Sequence, residues 1–164
     1  MPVIARPFRP DEAGVLRDIR LQALADSPRA FAERHDVALA MGGEDFGAAL
    51  AAGAVWGVFD DDRCVGMAGL GRHVGANVEH KATIWGVFVT PTARGSAAAR
   101  TLFQHLIDHA RVIGVEVLHL AADEQNQRAQ RFYKGMGFVS YGLDRRALKL
   151  GDRIVDDVLM RLDL

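Results

Sequence analysis

The sequence predicts one domain of the mixed α/β (α+β) class, and three observations carry that prediction. The chain has 164 residues, which is the size of a single domain with one core. Its composition, 49% hydrophobic and 25% charged, is ordinary for a globular protein. Predicted elements follow the order strand, two helices, three strands, helix, strand, helix and two strands. One domain over residues 1–164 is therefore expected, without repeats or an obvious linker.

The first half of the chain supplies a strand, two helices and a hairpin. Residues 3–8 alternate weakly between apolar and polar side chains, which predicts a strand. Pro10 then marks a helix start, and apolar residues recur at near-helical spacing as far as residue 26. After a loop, residues 44–52 predict a shorter helix. Residues 55–73 contain two strand-like runs separated by an Asp-rich turn, which is typical of a hairpin.

The second half adds four strands and two helices. The strands are short runs rich in β-branched or aromatic residues, or alternating runs, at residues 82–89, 116–122, 139–148 and 153–162. The first helix of this half follows residues 82–89. The second ends near Gly135 or Gly137, since glycine commonly follows a helix.

The junction after residues 82–89 predicts an anion site. Pro91 ends the strand because it cannot donate to a sheet ladder, and a helix is expected from about Gly95 to Gly114. The first amides of a helix lack partners and attract anions. Arg94 adds positive charge, and Gly95 permits a positive φ. The side chains that follow are short enough to leave room for a phosphate: Ser96, Ala97, Ala98 and Ala99. An ordinary strand-to-helix turn is the alternative.

In the order of its elements, essentially the whole sequence resembles the GNAT superfamily of N-acetyltransferases, and the resemblance is sharpest from residue 85 to residue 138. The acetyl-CoA motif of that family is Arg or Gln, two residues, Gly, one residue, then Gly or Ala. Residues 94–99 are similar to it, although Ala97 stands where the family prefers Gly. A second family signature is matched by Asn126, Ala129, Tyr133 and Gly137-Phe138. The resemblance implies a twisted, mostly antiparallel mixed sheet of six to seven strands, flanked by about four helices.

The resemblance also implies what the junction holds. In the family, backbone amides at positions matching residues 95–99 hold the pyrophosphate of acetyl-CoA, which is a co-substrate. The preceding strand separates from its neighbour and pairs with pantetheine, which here implies Val87, Phe88 and Val89. Asn126 could bond the cofactor or an ordered water, and it could equally be the N-cap of its helix.

Acetyl transfer to an amine needs a proton acceptor for the amine and a donor for the departing thiolate. Tyr133 is the predicted acid, because its matched position implies a phenol near the sulfur; packing of its ring is the alternative. Glu79 and His80, just before the central strand, are the predicted bases. Glu33 and Asp36, after the first helix, are weaker candidates.

Composition and motif spacing weaken several other functions. The formal net charge of −1 gives no overall attraction to nucleic acid. Cys64 is the only cysteine, so an intrachain disulfide and a cysteine-based zinc cluster are excluded and a cytoplasmic location is expected. No apolar run approaches the ~20 residues that span a bilayer. His105 and His109 can share a helical face, but without a third ligand no metal is expected.

The resemblance therefore implies an acetyl-CoA-dependent N-acetyltransferase in which a primary amine attacks the thioester directly. The expected partner is a small-molecule or peptide amine, with no nucleic acid and no membrane, and a homodimer is left open. No motif identifies the acceptor. The alternative is an acyl-CoA-binding regulatory or interaction module without turnover, which the lack of a clear base favours.

Overall fold

A computed structural model of the chain describes residues 2–164. Seven strands lie along it: β1 (Ile4–Pro7), β2 (Val55–Asp60), β3 (Arg63–Arg72), β4 (Lys81–Val89), β5 (Val117–Asp123), β6 (Val139–Leu150) and β7 (Arg153–Asp163). The α-helices are α1 (Ala13–Asp26), α2 (His35–Leu39), α3 (Gly47–Ala51), α4 (Ala98–Val112) and α5 (Gln127–Gly135). This order confirms the predicted fold class. The sequence analysis missed α2, which is only five residues long and lies in a predicted loop.

The strands form one mixed sheet in the order β1-β2-β3-β4-β5-β7-β6. All neighbours are antiparallel except β4 and β5, because the chain crosses over through α4 between these two strands. The parallel pairing covers only three residue pairs, from Lys81 with Val117 to Thr83 with His119. Beyond Thr83 the two strands are no longer paired, so the sheet opens toward their carboxyl ends.

Two hydrophobic cores lie on opposite faces of the sheet. On the first face, α4 and α5 cover a core that includes the fully buried Leu102, Phe103 and Leu106. These residues fall on one side of α4, as in any amphipathic helix. On the other face, α1 to α3 cover a core that includes Ile19 and Phe88. We call the two sides the α4 face and the α1 face.

A bulge in β4 lies where the sheet opens. Gly69 pairs with Trp85 and Met67 pairs with Phe88, so two steps along β3 match three along β4. Gly86 has a φ of +61°, which suits glycine and marks the extra residue. The bulge keeps both Trp85 and Phe88 on the α1 face despite their odd spacing.

The junction helix begins later than the sequence predicted. A 3₁₀ turn at Pro91–Ala93 follows β4, and α4 starts at Ala98 rather than near Gly95. The delay arises because Gly95 takes a φ of +81°, which no helical residue has. The predicted stop is confirmed, since α4 ends at Val112 just before Gly114, also at φ +81°.

Candidate active site

The separated ends of β4 and β5 enclose a cleft of about 600 Å³. Its lining includes β4 from residue 84 to 89, the junction from residue 93 to 96, β5 from residue 120 to 123, and part of α5. Strand residues that lose their ladder partners present free backbone groups. The cleft can therefore bind an extended ligand by strand-like pairing.

The backbone of β4 presents alternate residues to this cleft. The N–H of Thr90 donates to the carbonyl of Val65 in β3 at 2.8 Å, so Val89 faces the opposite way. The carbonyl of Val89 accepts a hydrogen bond from Nε of Arg94 at 3.1 Å, and Val87 has the same orientation two residues earlier. Phe88 faces β3 and buries its ring in the α1-face core. The geometry favours Val87 and Val89 over Phe88 as backbone partners of a ligand.

The junction presents backbone amides to the same cleft. The Ser96 hydroxyl donates to the carbonyl of Ala93 at 2.6 Å and accepts from the amide of Ala98 at 3.2 Å. The amide of Thr101 donates to the carbonyl of Ala97 at 2.9 Å. Among the first four amides of α4, those of Ala99 and Arg100 are therefore left without an intrahelical partner. Both residues line the cleft, and free amides at a helix start are typical of an anion site. Of the predicted amides of residues 95–99, those of Ser96 and Ala98 already have partners, and Arg100 was not among the predicted residues.

Arg94 ties the junction to two other elements. Besides its bond to Val89, its guanidinium forms an ion pair with Asp26 at the end of α1. Hydrogen bonds from Ser27 and Arg94 lower the pKa of Asp26 below its usual range. Arg94 therefore places a cation at the cleft and also links the junction to β4 and to the end of α1. Sequence analysis missed Asp26, because nothing in the motif signals a partner 68 residues away.

Two further cations line the cleft. Arg100 lies in the first turn of α4 and Arg128 in the first turn of α5, and both side chains belong to exposed residues. Their positive charges lie on the side of the cleft where α4 and α5 begin, and they add to the positive ends of the two helix dipoles. The sequence analysis did not select either residue, since an arginine at a helix surface is usually only solvated.

Tyr133 both packs its ring in the core and lines the cleft, so neither of its two predicted roles is excluded. Its ring packs against Phe103 and Phe132, with ring centroids 5.4 and 5.7 Å away, and only 7% of the residue is exposed. It also lines the cleft. Burial raises the pKa of the Tyr133 phenol above its usual value, so the hydroxyl stays protonated at neutral pH.

Asn126 caps α5, as one of its two predicted roles required. Its Oδ1 accepts a hydrogen bond from the amide of Ala129 at 3.1 Å. This bond satisfies one of the free amides at the helix start. Asn126 also lines the cleft, so its cofactor contact stays a prediction that the geometry allows.

The predicted bases lie away from the cleft, and this placement is a correction. Glu79 and His80 form the turn before β4, at the end where β4 and β5 are still paired, and neither lines the cleft. At about 3.3 Å per strand residue, Lys81 at the start of β4 is already roughly 10 Å from Ile84, where the lining begins, and both predicted bases precede Lys81. Glu33 is bound by Arg20 at 2.8 Å and is likewise not a lining residue.

Asp36, the other weak candidate, pairs with Arg34 on the surface and does not line the cleft either. The carboxylates in the lining are instead Asp123 and Asp157. Both oxygens of Asp123 bind Arg29, with Nε–Oδ2 at 2.6 Å and Nη2–Oδ1 at 3.0 Å. Those bonds lower the pKa of Asp123. For Asp157, burial and the neighbouring carboxylates raise the pKa.

The described part of the chain, residues 2–164, brings together no group of three His, Cys, Asp or Glu side chains that could hold a metal ion. His105 and His109 have other contacts. The Nδ1 of His105 lies 2.8 Å from the carbonyl of Thr101, and the His109 ring lies 5.2 Å from Trp56. In the same residues, no helix has the length and apolar character needed to cross a membrane.

Comparison with known proteins gives a family and a fold. Residues 20–138 match the model of the acetyltransferase (GNAT) family. A comparison with curated proteins finds no match. An acetyltransferase of the GNAT family from Streptococcus pneumoniae is similar in structure, with a TM-score of 0.87, 18% identity, and coverage of 99% of this chain and 100% of that one.

Two other solved structures show the same similarity. The ribosomal-protein-alanine N-acetyltransferase of Brucella melitensis has a TM-score of 0.85 at 22% identity, covering 98% of this chain and 99% of its own. YncA of Salmonella typhimurium, solved with its cofactor acetyl-CoA, has a TM-score of 0.85 at 19% identity, covering 100% and 95%. At these identities the likeness shows a shared fold.

Proposed function

The chain belongs to the acetyltransferase (GNAT) family, and on that premise we propose that its cleft binds acetyl-CoA and transfers the acetyl group directly to a primary amine. The observation that carries this proposal is the opening between β4 and β5 directly beside the amides of the junction. An extended chain ending in phosphates matches both features. The acetyl-CoA complex of YncA, which shares this fold, supports the same assignment.

The residues present fit the charged and the extended parts of acetyl-CoA. The amides of Ala99 and Arg100 would hold the pyrophosphate, since they lack intrahelical partners, and Arg94 would add charge. Val87 and Val89 would pair with the amides of pantetheine, because their backbone groups face the opening. A backbone N–H of β4 could also stabilise the oxyanion that forms when the thioester is attacked.

The role that we propose for Tyr133 differs from that of the predicted acid. Acetyl-CoA supplies a thioester whose leaving thiolate has a pKa near that of a free thiol, about 8.5. A tyrosine phenol ordinarily has a pKa of about 10, above that of the thiol, and burial raises the pKa of Tyr133 further, so complete transfer of its proton to the thiolate would be unfavourable. We therefore assign Tyr133 as a hydrogen-bond donor to the departing sulfur, and the amine as the source of the proton that the thiol finally holds.

Two measurements test the proposal. Acetyl-CoA at a hundredfold excess over its Kd should stabilise the protein by about 2.7 kcal/mol, which raises Tm by roughly 5–10 °C for a chain of this size. A screen of small amines, polyamines, amino acids and peptides should then show CoA release above the hydrolysis background. A Tm shift without release from any amine would favour the non-catalytic module, and no shift at millimolar acetyl-CoA would overturn the proposal.

A further inference from the structure

We propose that Asp157 is the catalytic residue that receives the acceptor: its carboxylate binds the ammonium group and removes its proton, and it selects amines without an adjacent carboxylate. This inference rests on the proposed acetyltransferase function and specifies its acceptor side. It replaces Glu79 and His80, which lie outside the cleft.

The sheet register places Asp157 on the side opposite Tyr133. Leu118, Leu120 and Ala122 of β5 point into the α4-face core, so Asp123 points to the α1 face. Asp157 is the partner of Asp123 across β5 and β7, so it shares that face, about one strand spacing or 5 Å away. Tyr133 belongs to the α4-face core. A group at Asp157 therefore approaches the opening from one side while the sulfur-side donor lies on the other.

Asp157 is also the lining carboxylate with free hydrogen-bonding capacity. Asp123 uses both oxygens to bind Arg29, and it accepts the amide of Gln125 at 3.0 Å as well. Arg29 acts on Asp157 through its charge, but its donors are directed at Asp123. An incoming ammonium can bind the carboxylate of Asp157 without displacing an existing ion pair.

The charges around Asp157 favour a cation and disfavour an anion. Asp123 faces it from β5, Asp144 from β6, and Asp156 precedes it on β7, whereas Arg29 is the opposing positive group. Burial and the three carboxylates raise the pKa of Asp157, and Arg29 lowers it. The raised pKa strengthens Asp157 as a proton acceptor. The same row of carboxylates would repel a carboxylate attached beside the amine.

An apolar surface lies next to Asp157 on the α1 face. Two residues along β5 and β7 from the Asp123–Asp157 pair, Ala121 pairs with Leu159. Trp85, 38% exposed, and Ala121 both line the cleft. Its indole lies directly on Gly69, where an added Cβ would be only 2.1 Å from Trp85 Cε2. This flat surface can accept the hydrocarbon part of an amine, and an aromatic face also attracts the ammonium.

The proton and bond changes balance as follows. The ammonium gives one proton to the Asp157 carboxylate, and the neutral amine attacks the carbonyl carbon of the thioester. The C–N bond forms, the C–S bond breaks, and the second nitrogen proton passes to the CoA sulfur, with Tyr133 donating a hydrogen bond to that sulfur. Asp157 then releases its proton to solvent. The products are the N-acetyl amide, CoA and one proton.

The test uses 2-phenylethylamine and L-phenylalanine, which differ by one carboxylate. With wild-type protein at saturating acetyl-CoA, we expect kcat/KM for 2-phenylethylamine to exceed that for L-phenylalanine by at least about tenfold. Asp157→Asn should lower kcat/KM for 2-phenylethylamine by about 100-fold at pH 7, with unchanged acetyl-CoA affinity. The loss should shrink as pH rises toward the amine pKa, because solution then supplies the neutral amine. Asp157→Glu should recover part of the activity.

Asp152→Asn is the matched control, since it makes the same charge change at the exposed tip of the β6–β7 hairpin. It should keep the wild-type kcat/KM and pH profile. Asp157→Asn should also keep or raise Tm at pH 7, because it removes a carboxylate whose ionisation is disfavoured in the fold. A wild-type rate and pH profile in Asp157→Asn, or a preference for L-phenylalanine, would overturn the inference. If wild-type protein releases no CoA with any amine, the proposed function itself has failed.

Discussion

The two ends of the cleft differ in the groups that they present, which are backbone amides at one end and side chains at the other. The junction at residues 91–100 is continuous in sequence and presents backbone amides, fixed by the local conformations of Gly95 and Ala97. The proposed acceptor wall consists of Trp85, Asp123 and Asp157 together with Arg29, which binds Asp123. It is assembled from side chains of separate elements, and Arg29 and Asp123 are 94 residues apart. The difference suits the two ligands that we propose, acetyl-CoA and an amine. A pyrophosphate common to every acyl-CoA can be bound by main chain, whereas an amine that differs between enzymes needs replaceable side chains.

Reversing the charge at the junction should have the largest effect. Arg94→Glu should raise the Kd for acetyl-CoA about 100-fold, because it opposes the pyrophosphate and breaks the ion pair with Asp26. Titration calorimetry measures the change. Arg111→Glu is the control, since Arg111 lies at the other end of α4 and pairs with Asp108 on the surface. Equal affinities in wild type and Arg94→Glu would mean that the junction does not hold the pyrophosphate.

Removing the Tyr133 hydroxyl tests the proposed hydrogen bond to the departing sulfur, between the junction and the acceptor wall. Tyr133→Phe should lower kcat about tenfold with little change in acetyl-CoA affinity, because one hydrogen bond to the departing sulfur is lost. The effect is smaller than full acid catalysis would give, since burial keeps the proton on the phenol. Steady-state kinetics at saturating acetyl-CoA provide the measurement. A wild-type kcat from pH 6 to 9 would reduce Tyr133 to a packing residue.

Changing Arg29 should disturb the acceptor wall and leave the junction intact. Arg29→Gln should move the acid limb of the rate profile to higher pH, because Arg29 lowers the pKa of both Asp123 and Asp157. The lowered pKa of Asp123 contributes stability above its unfolded pKa, and that stability is lost as pH falls through the folded value. Arg29→Gln should therefore lower Tm at pH 7 but not near pH 2. An unchanged rate profile would contradict this account.

Ala97 tests the one departure from the family motif and should give the smallest effect. Its φ of −70° and ψ of −9° are already helical, so it needs no glycine. Ala97→Gly should leave the acetyl-CoA Kd within about twofold and lower Tm by about 1–4 °C, since glycine costs up to roughly 1 kcal/mol in a helical turn. Calorimetry and thermal unfolding measure both. A large gain in affinity would show that the Ala97 side chain obstructs the site.

The same contrast explains what the sequence could predict. The junction could be predicted from the sequence because Pro91, Arg94 and Gly95 determine the conformation of residues next to them. The structure gives Gly95 the expected positive φ. The capping role of Asn126 is local in the same sense. Such features are determined within one or two turns of chain.

The rest depends on contacts between distant segments. The β4 bulge changes which residues face the cleft, although Gly86 within a strand was a usable signal. The predicted bases Glu79 and His80 are close to the central strand in sequence, but they precede β4 at the end where it is paired with β5. Asp157 reaches the cleft only because β7 inserts next to β5, which no spacing in the sequence encodes.

Hydrogen exchange tests the central claim most directly, namely that acetyl-CoA occupies the opening of β4 and the amides of the junction. Exchange would be followed by mass spectrometry with and without saturating acetyl-CoA, comparing peptides from residues 84–100 with peptides from residues 71–83. We predict slower exchange in residues 84–100, because the free amides gain partners, and unchanged exchange at the paired end of β4. Binding of acetyl-CoA without protection of residues 84–100 would contradict the account.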